Sequence, residues 1–263
     1  MKNILLYVQD DPGMEARFQA ALSLARNHGG HLTCLQVKPV PYVPGEVAMS
    51  RDTVELLLQS VETPAREQRA ALEARLGNEM VSWDWRVRSG NAAIEILQDA
   101  LLADVIVAGT GDEAPDISTV GSLLVHGHVP IFAVPGDALQ FDPSGPVVIA
   151  WNGKAEAANS VRHSLALTGA ATSVHIVTIT EEPLDVPPTE VASYLSRHGI
   201  HAEIHERQAE PSVTEALKAS ARELGASCIV MGGYGHSRFR ERVFGGVTRA
   251  LLEDCPTPLL LSH

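Results

Sequence analysis

Between Ser227 and Thr248 the chain reads SCIVMGGYGHSRFRERVFGGVT, a run whose residue types and spacing suit the binding of an anion. An apolar stretch, Cys228 to Met231, stops at Gly232 and Gly233; Tyr234 and Gly235 follow, then nine residues, then Gly245-Gly246-Val247-Thr248. Glycines let a backbone turn tightly or let another group come close to its N–H donors. A second glycine pair opening a helix adds unpaired amides and the positive end of the helix dipole. The nine residues between carry His236, Arg238, Arg240 and Arg242 against one acid, Glu241, in a chain of formal net charge -12. A cationic loop beside a glycine-lined helix start points to phosphate. Turn chemistry and a solvated basic face account for the same residues until the flanking elements are placed.

Those elements repeat. Residues 4–8, 31–37, 83–87, 104–108 and 130–134 read as five strands of a first half; residues 147–151, 173–179, 202–205, 228–231 and 258–261 repeat them in a second. Helix-period segments lie between: Phe18, Ala21, Leu22 and Ala25 on one inner face, and Ala158, Val161, Leu165 and Ala166 on its counterpart. Ile94, Leu97 and Leu101 precede the fourth strand of the first half, and Val213, Ala216, Leu217 and Leu224 that of the second. Strand and helix alternating throughout means right-handed crossovers and parallel sheets. The breaker-rich segment from Pro135 to Pro146 is read as a linker, with one domain over residues 1–138 and a second over 145–263.

Gly232-x2-Gly235-x9-Gly245, with a strand before it and Pro256 to Leu261 after it, resembles the nucleotide-binding signature of the universal stress protein family, G-x2-G-x9-G followed by Ser or Thr. Gly246 replaces that hydroxyl residue, while Thr248 matches a second hydroxyl position. The resemblance implies an α/β fold of two flavodoxin-like, adenine nucleotide alpha hydrolase-like, doubly wound parallel sheets with strand order 3-2-1-4-5 in each. It also implies ATP or AMP as ligand, with or without Mg²⁺, and pairing through fifth strands. The two halves would then form an internal pseudo-dimer, with homodimers of whole chains left open.

With that order the ligand lies at the switch between first and fourth strands. Trp151, Asn152 and Gly153 are thereby set opposite Gly232 and Gly233, with Met231 ending the strand before them and counted in the site. The family often has Asp where Asn152 stands; the amide still donates and accepts but carries no charge for a metal ion. Trp151 borders the base or only packs in the core, and Ile179 with Thr180 walls the base. Phosphates fall to Gly235, His236, Arg238, Gly245, Gly246, Val247 and Thr248. The first half carries an altered loop, Gly109-Thr110-Gly111-x9-Gly121-Ser122, around acids 112, 113 and 116, which repel phosphate; the nucleotide is therefore expected in the second half. Asp10 and Asp11 read as a helix start.

Composition bounds the rest. Apolar residues at 45% and charged ones at 20% describe a folded globular chain, and its acidity argues against nucleic acid or anionic membranes as partners. No apolar run is long enough to span a bilayer and the first residues read as a strand, so a cytoplasmic location is expected. Cys34, Cys228 and Cys255 read as buried reduced thiols. His198, His201 and His205 are spaced suggestively, yet Gly199 interrupts them and no metal site is assigned. There is no Walker loop and no nucleophile elbow, so slow ATP hydrolysis is the most an enzymatic reading supports. The expected role is nucleotide-dependent sensing or regulation in a stress response. The alternatives are an interaction scaffold without nucleotide, and a weak ATP hydrolase or phosphotransferase.

Overall fold

The computed structural model describes residues 1–40, 51–110, 116–138, 140–179, 184–233 and 246–263, with residues 51–59, 61 and 116–118 described by backbone alone. The first half runs β1 (Asn3–Val8), α1 (Met14–His28), β2 (His31–Lys38), α2 (Arg51–Leu76), β3 (Ser82–Ser89), α3 (Ala92–Asp99), β4 (Val105–Thr110), α4 (Asp116–His126) and β5 (Ile131–Pro135). The second runs β6 (Val147–Ala150), α5 (Ala155–His163), α6 (Leu165–Thr168), β7 (Val174–Ile179), α7 (Pro188–Arg197), β8 (Glu203–Arg207), α8 (Val213–Glu223), β9 (Cys228–Gly232), α9 (Gly246–Asp254) and β10 (Leu259–Ser262).

All ten strands form one sheet in the order β3-β2-β1-β4-β5-β10-β9-β6-β7-β8. Each half has the order 3-2-1-4-5, and every pairing within a half is parallel. The halves join where β5 and β10 pair antiparallel, with Phe132 opposite Leu260. The carboxyl ends of the parallel strands therefore face opposite edges of the sheet in the two halves.

Period-two alternation divides the core into two layers. One face of the sheet, with Leu6, Val107, Phe132, Ile149, Ile176 and Val230, is covered by α1, α2, α5 and α7. The other, with Leu5, Ile106, Ala133, Val148, Val177 and Met231, is covered by α3, α4, α8 and α9. Strands covered on both sides explain the uninterrupted apolar runs. On α1, Phe18, Ala21, Leu22 and Ala25 are all buried, as their spacing predicts, and the helix stops at Gly29 in the left-handed conformation, φ 54°. Asp11 does act at this helix start: one carboxylate oxygen accepts the Gly13 amide at 2.7 Å and the other binds the buried Arg17 guanidinium at 2.5 Å.

Two predicted helix faces need correction. In the second half, Val161 is buried but Ala158, Leu165 and Ala166 are only half-buried. The inward stripe is Ala157, Ser160, Val161, Ser164, Leu167 and Thr168. Its hydroxyls bond back to the preceding turn, Ser160 to the Ala157 carbonyl at 2.8 Å and Thr168 to the Ser164 carbonyl at 3.0 Å, so polar side chains occupy core positions at little cost. In α3 the inward residues are Ile96 and, at the end, Ala100; Ile94 is exposed, and Leu101 lies past the last turn. The linker, too, is held down: Phe141 is buried, its ring 4.8 Å from that of Phe132.

Candidate functional site

At the carboxyl ends of β6, β7 and β9 lies a cavity of about 270 Å³. It sits at the switch between the first and fourth strands of the second half, where the sheet's winding direction changes. Trp151, Asn152, Ile179, Met231, Gly232, Gly246, Val247 and Thr248 all line it. The strand registers bring them together: Ala150 pairs with Met231 and with Val177, so the loops leaving all three strands open on one mouth. Helix α9 then begins at Gly246, and Gly246, Val247 and Thr248 of its first turn line the same space.

The side chains divide by chemistry. Val177, Ile179, Val213, Leu217 and Met231 make an apolar wall; Asn152, Lys154, Thr248 and the start of α9 make a polar one. Trp151 lends its backbone to the rim while its indole is buried in the opposite core layer, donating to the Val186 carbonyl at 2.9 Å. The Asn152 side-chain oxygen accepts the Lys154 amide at 3.1 Å, fixing the turn into α5. Gly153 is beside the cavity but not part of its lining; φ of 74° places it in the left-handed region, which explains a glycine there. Gly232 is required by packing: a Cβ would come within 2.6 Å of the Ala157 nitrogen and 2.7 Å of the Glu156 carbonyl carbon. Gly235, His236, Arg238 and Gly245, together with Thr180, lie outside the described residues.

Sequence reasoning missed Ala150, Lys154, Val177, Val213 and Leu217 as lining residues. The signal was available for most of them. Ala150 and Val177 follow from alternation once Met231 is placed, and Leu217 stands one helical turn after Val213. Lys154 carried no signal beyond its closeness to Asn152.

The first half has a counterpart of about 570 Å³, lined by Tyr7, Gln9, Gln36, Lys38 and Asn91 among others and covered by α2. Glutamines hold that helix down. Gln68 donates to the Gln9 carbonyl at 2.9 Å, and Gln36 donates to the Ala65 carbonyl at 3.0 Å and to the Gln68 side chain at 3.2 Å. Here α4 starts at Asp116 and Gly121 lies buried within its length, whereas α9 of the second half starts at Gly246.

The thiols lie away from both cavities. Burial pushes Cys34 and Cys228 up to about 12 and raises Cys255 as well, so none is a ready nucleophile. His126 binds the Ser122 carbonyl at its helix end, 3.0 Å away. Among the described residues no helix is long and apolar enough to cross a membrane.

The model of the Universal stress protein family matches residues 1–135 and again residues 144–263. Among solved structures, a universal stress protein from Archaeoglobus fulgidus DSM 4304 superposes with a TM-score of 0.76 at 16% identity, covering 99% of this chain and 96% of that one. A functionally unknown protein from Pseudomonas aeruginosa PAO1 gives 0.65 at 15% identity, covering 100% and 92%. At these identities the likeness speaks to the fold, two flavodoxin-like α/β units in one chain. The comparison with curated proteins finds no match.

Proposed function

We infer the function from one premise: this chain belongs to the universal stress protein family, whose domain it carries twice. We propose that its second half binds an adenine nucleotide, ATP or AMP, and that the tandem protein serves as a nucleotide-dependent sensing or regulatory module. The observation that carries this reading is the convergence of an apolar wall and a glycine-opened helix N-terminus on one cavity. A planar base suits Val177, Ile179, Met231 and Leu217, and phosphate suits the first amides of α9 with Lys154 nearby. The volume, about 270 Å³, lies just under the range of roughly 300–1,000 Å³ typical of ligand pockets. The first-half cavity is the poorer candidate for phosphate, since α4 opens on Asp116 with two acids just before it.

Calorimetry of the full chain with ATP and AMP, with and without Mg²⁺, tests the proposal, and absence of heat at millimolar ligand removes it. Gly246→Ser, which restores the family's hydroxyl, should tighten binding by about 3- to 10-fold, the worth of one hydrogen bond.

A scaffold without nucleotide is the second reading. It is favoured by Asn152, whose side-chain oxygen is engaged in its own turn, and by the missing hydroxyl at Gly246. Purified protein free of adenine absorbance and mass would support the scaffold, whereas a co-purifying nucleotide would count against it.

A further inference from the structure

We propose that His175, Glu203 and His205 form a binding site for a divalent transition-metal ion of the zinc type. The strand register assembles it. In the parallel β7–β8 pair His175 lies opposite Glu203, and His205 follows Glu203 by two residues, so alternation places all three side chains on one face of the sheet. His175 Nδ1 is 3.1 Å from His205 Nε2, and Glu203 Oε2 is 3.6 Å from the first nitrogen and 3.8 Å from the second. A triangle with those sides has a circumradius of about 2.0 Å, so an ion at its centre meets all three donors at the bond length zinc makes to imidazole and carboxylate.

The surroundings fit a metal ligand set. The other nitrogen of His175, Nε2, is 2.9 Å from Ser173 Oγ, an outer partner of the kind that fixes the orientation and tautomer of a ligating ring. With Nε2–H donating to Ser173, Nδ1 turns its lone pair toward His205. Without an ion, the two facing nitrogens must share a proton; binding the ion sends that proton to solvent. Glu203 is largely exposed and gives the ion a path in, while His175 is buried and holds the inner side. Two imidazoles and one carboxylate select zinc, cobalt or nickel over magnesium or calcium, which prefer all-oxygen shells. A fourth position stays open for water. Because β8 ends the sheet and pairs on one side only, the ion would tie the outermost strand to its neighbour. His198, which sequence spacing groups with His205, stacks instead on Tyr194 at 4.8 Å.

The test uses the full chain stripped with chelator, titrated with ZnCl₂ by calorimetry and with CoCl₂ by visible absorption. The expected result is one ion per chain at micromolar affinity, a cobalt ligand-field band, and a zinc-dependent rise in Tm. His205→Gln and Glu203→Gln should abolish both the band and the rise, and Ser173→Ala should weaken zinc by about 10- to 100-fold. His201→Gln should change nothing. Circular dichroism of each variant separates lost ligation from lost fold. No zinc uptake at millimolar metal, or uptake that survives both His205→Gln and His175→Asn in folded protein, overturns the proposal and leaves the pair as a cross-strand hydrogen bond.

Discussion

Gly232 belongs to the glycine motif, yet the structure gives it a packing duty separable from any ligand. Replacing it with Ala puts a Cβ 2.6 Å from the Ala157 nitrogen, 2.7 Å from the Glu156 carbonyl carbon and 2.9 Å from Glu156 Cβ. The first two are backbone atoms in the opening turn of α5, and that turn cannot swing aside as a side-chain tip would. Overpacking a core costs typically about 1–3 kcal/mol, and a main-chain obstacle puts Gly232→Ala at the upper end, about 3 kcal/mol. Gly246→Ala is the matched control, since among the described residues nothing lies within 4 Å of its Cβ and alanine is the better helix residue. Urea unfolding followed by circular dichroism reads the difference. With a slope of roughly 1–3 kcal/mol per molar urea, the Gly232→Ala midpoint should fall by about 1 M or more while that of Gly246→Ala holds or rises. Equal midpoints would refute the close approach of β9 to α5, and with it the claim that this glycine is required whether or not a ligand binds.

Arg17 is buried and bound to Asp11, so Arg17→Met, which leaves the carboxylate without its partner, should cost about 3 kcal/mol; a denaturation midpoint shifted by less than a third of that would contradict the pairing. The three thiols should resist Ellman's reagent in the native protein and react fully in urea, because burial keeps them protonated; rapid native labelling of any one would show that its burial is wrong. Glu15 is lowered to about 2 chiefly by its hydrogen bonds from Arg75, which tie α1 to α2. Its depressed folded value means a stabilisation present above the usual carboxylate range and lost as pH falls from about 4.5 toward 2. The pair is half-exposed and screened, so it is worth no more than about 1 kcal/mol, and Glu15→Gln should flatten the acid limb of the stability curve by that amount.

The sheet could be read from the sequence because its strands are short apolar runs between breakers, buried on both faces, and a run such as Val147 to Ala150 has little else it can become. Helix faces were harder. The stripe of α5 and α6 is built from Ser160, Ser164 and Thr168, whose hydroxyls are satisfied by the helix's own carbonyls, so hydrophobicity points to the wrong side. In α3 the error came from carrying the apolar period to Leu101, beyond the last turn, where no packing acts on it.

The site falls between these cases. Met231, Gly232 and Gly246 to Thr248 could be named from spacing because local chain geometry places them. Lys154 could not, because only the turn from β6 into α5 brings it to the cavity. The His175–Glu203–His205 cluster is the extreme example. Its register depends on β7 and β8 lying side by side, whereas spacing along the chain groups His205 with His198 and His201. Gly232 shows the opposite limit: a motif residue is visible at once, but its cause is not, since the atoms forbidding a side chain belong to Glu156 and Ala157, far away in sequence. Matching a glycine pattern therefore marks where a side chain is left out without saying what excludes it. Only the partner that does the approaching, here the first turn of α5, separates the glycine the fold demands from Gly246, which no described residue crowds.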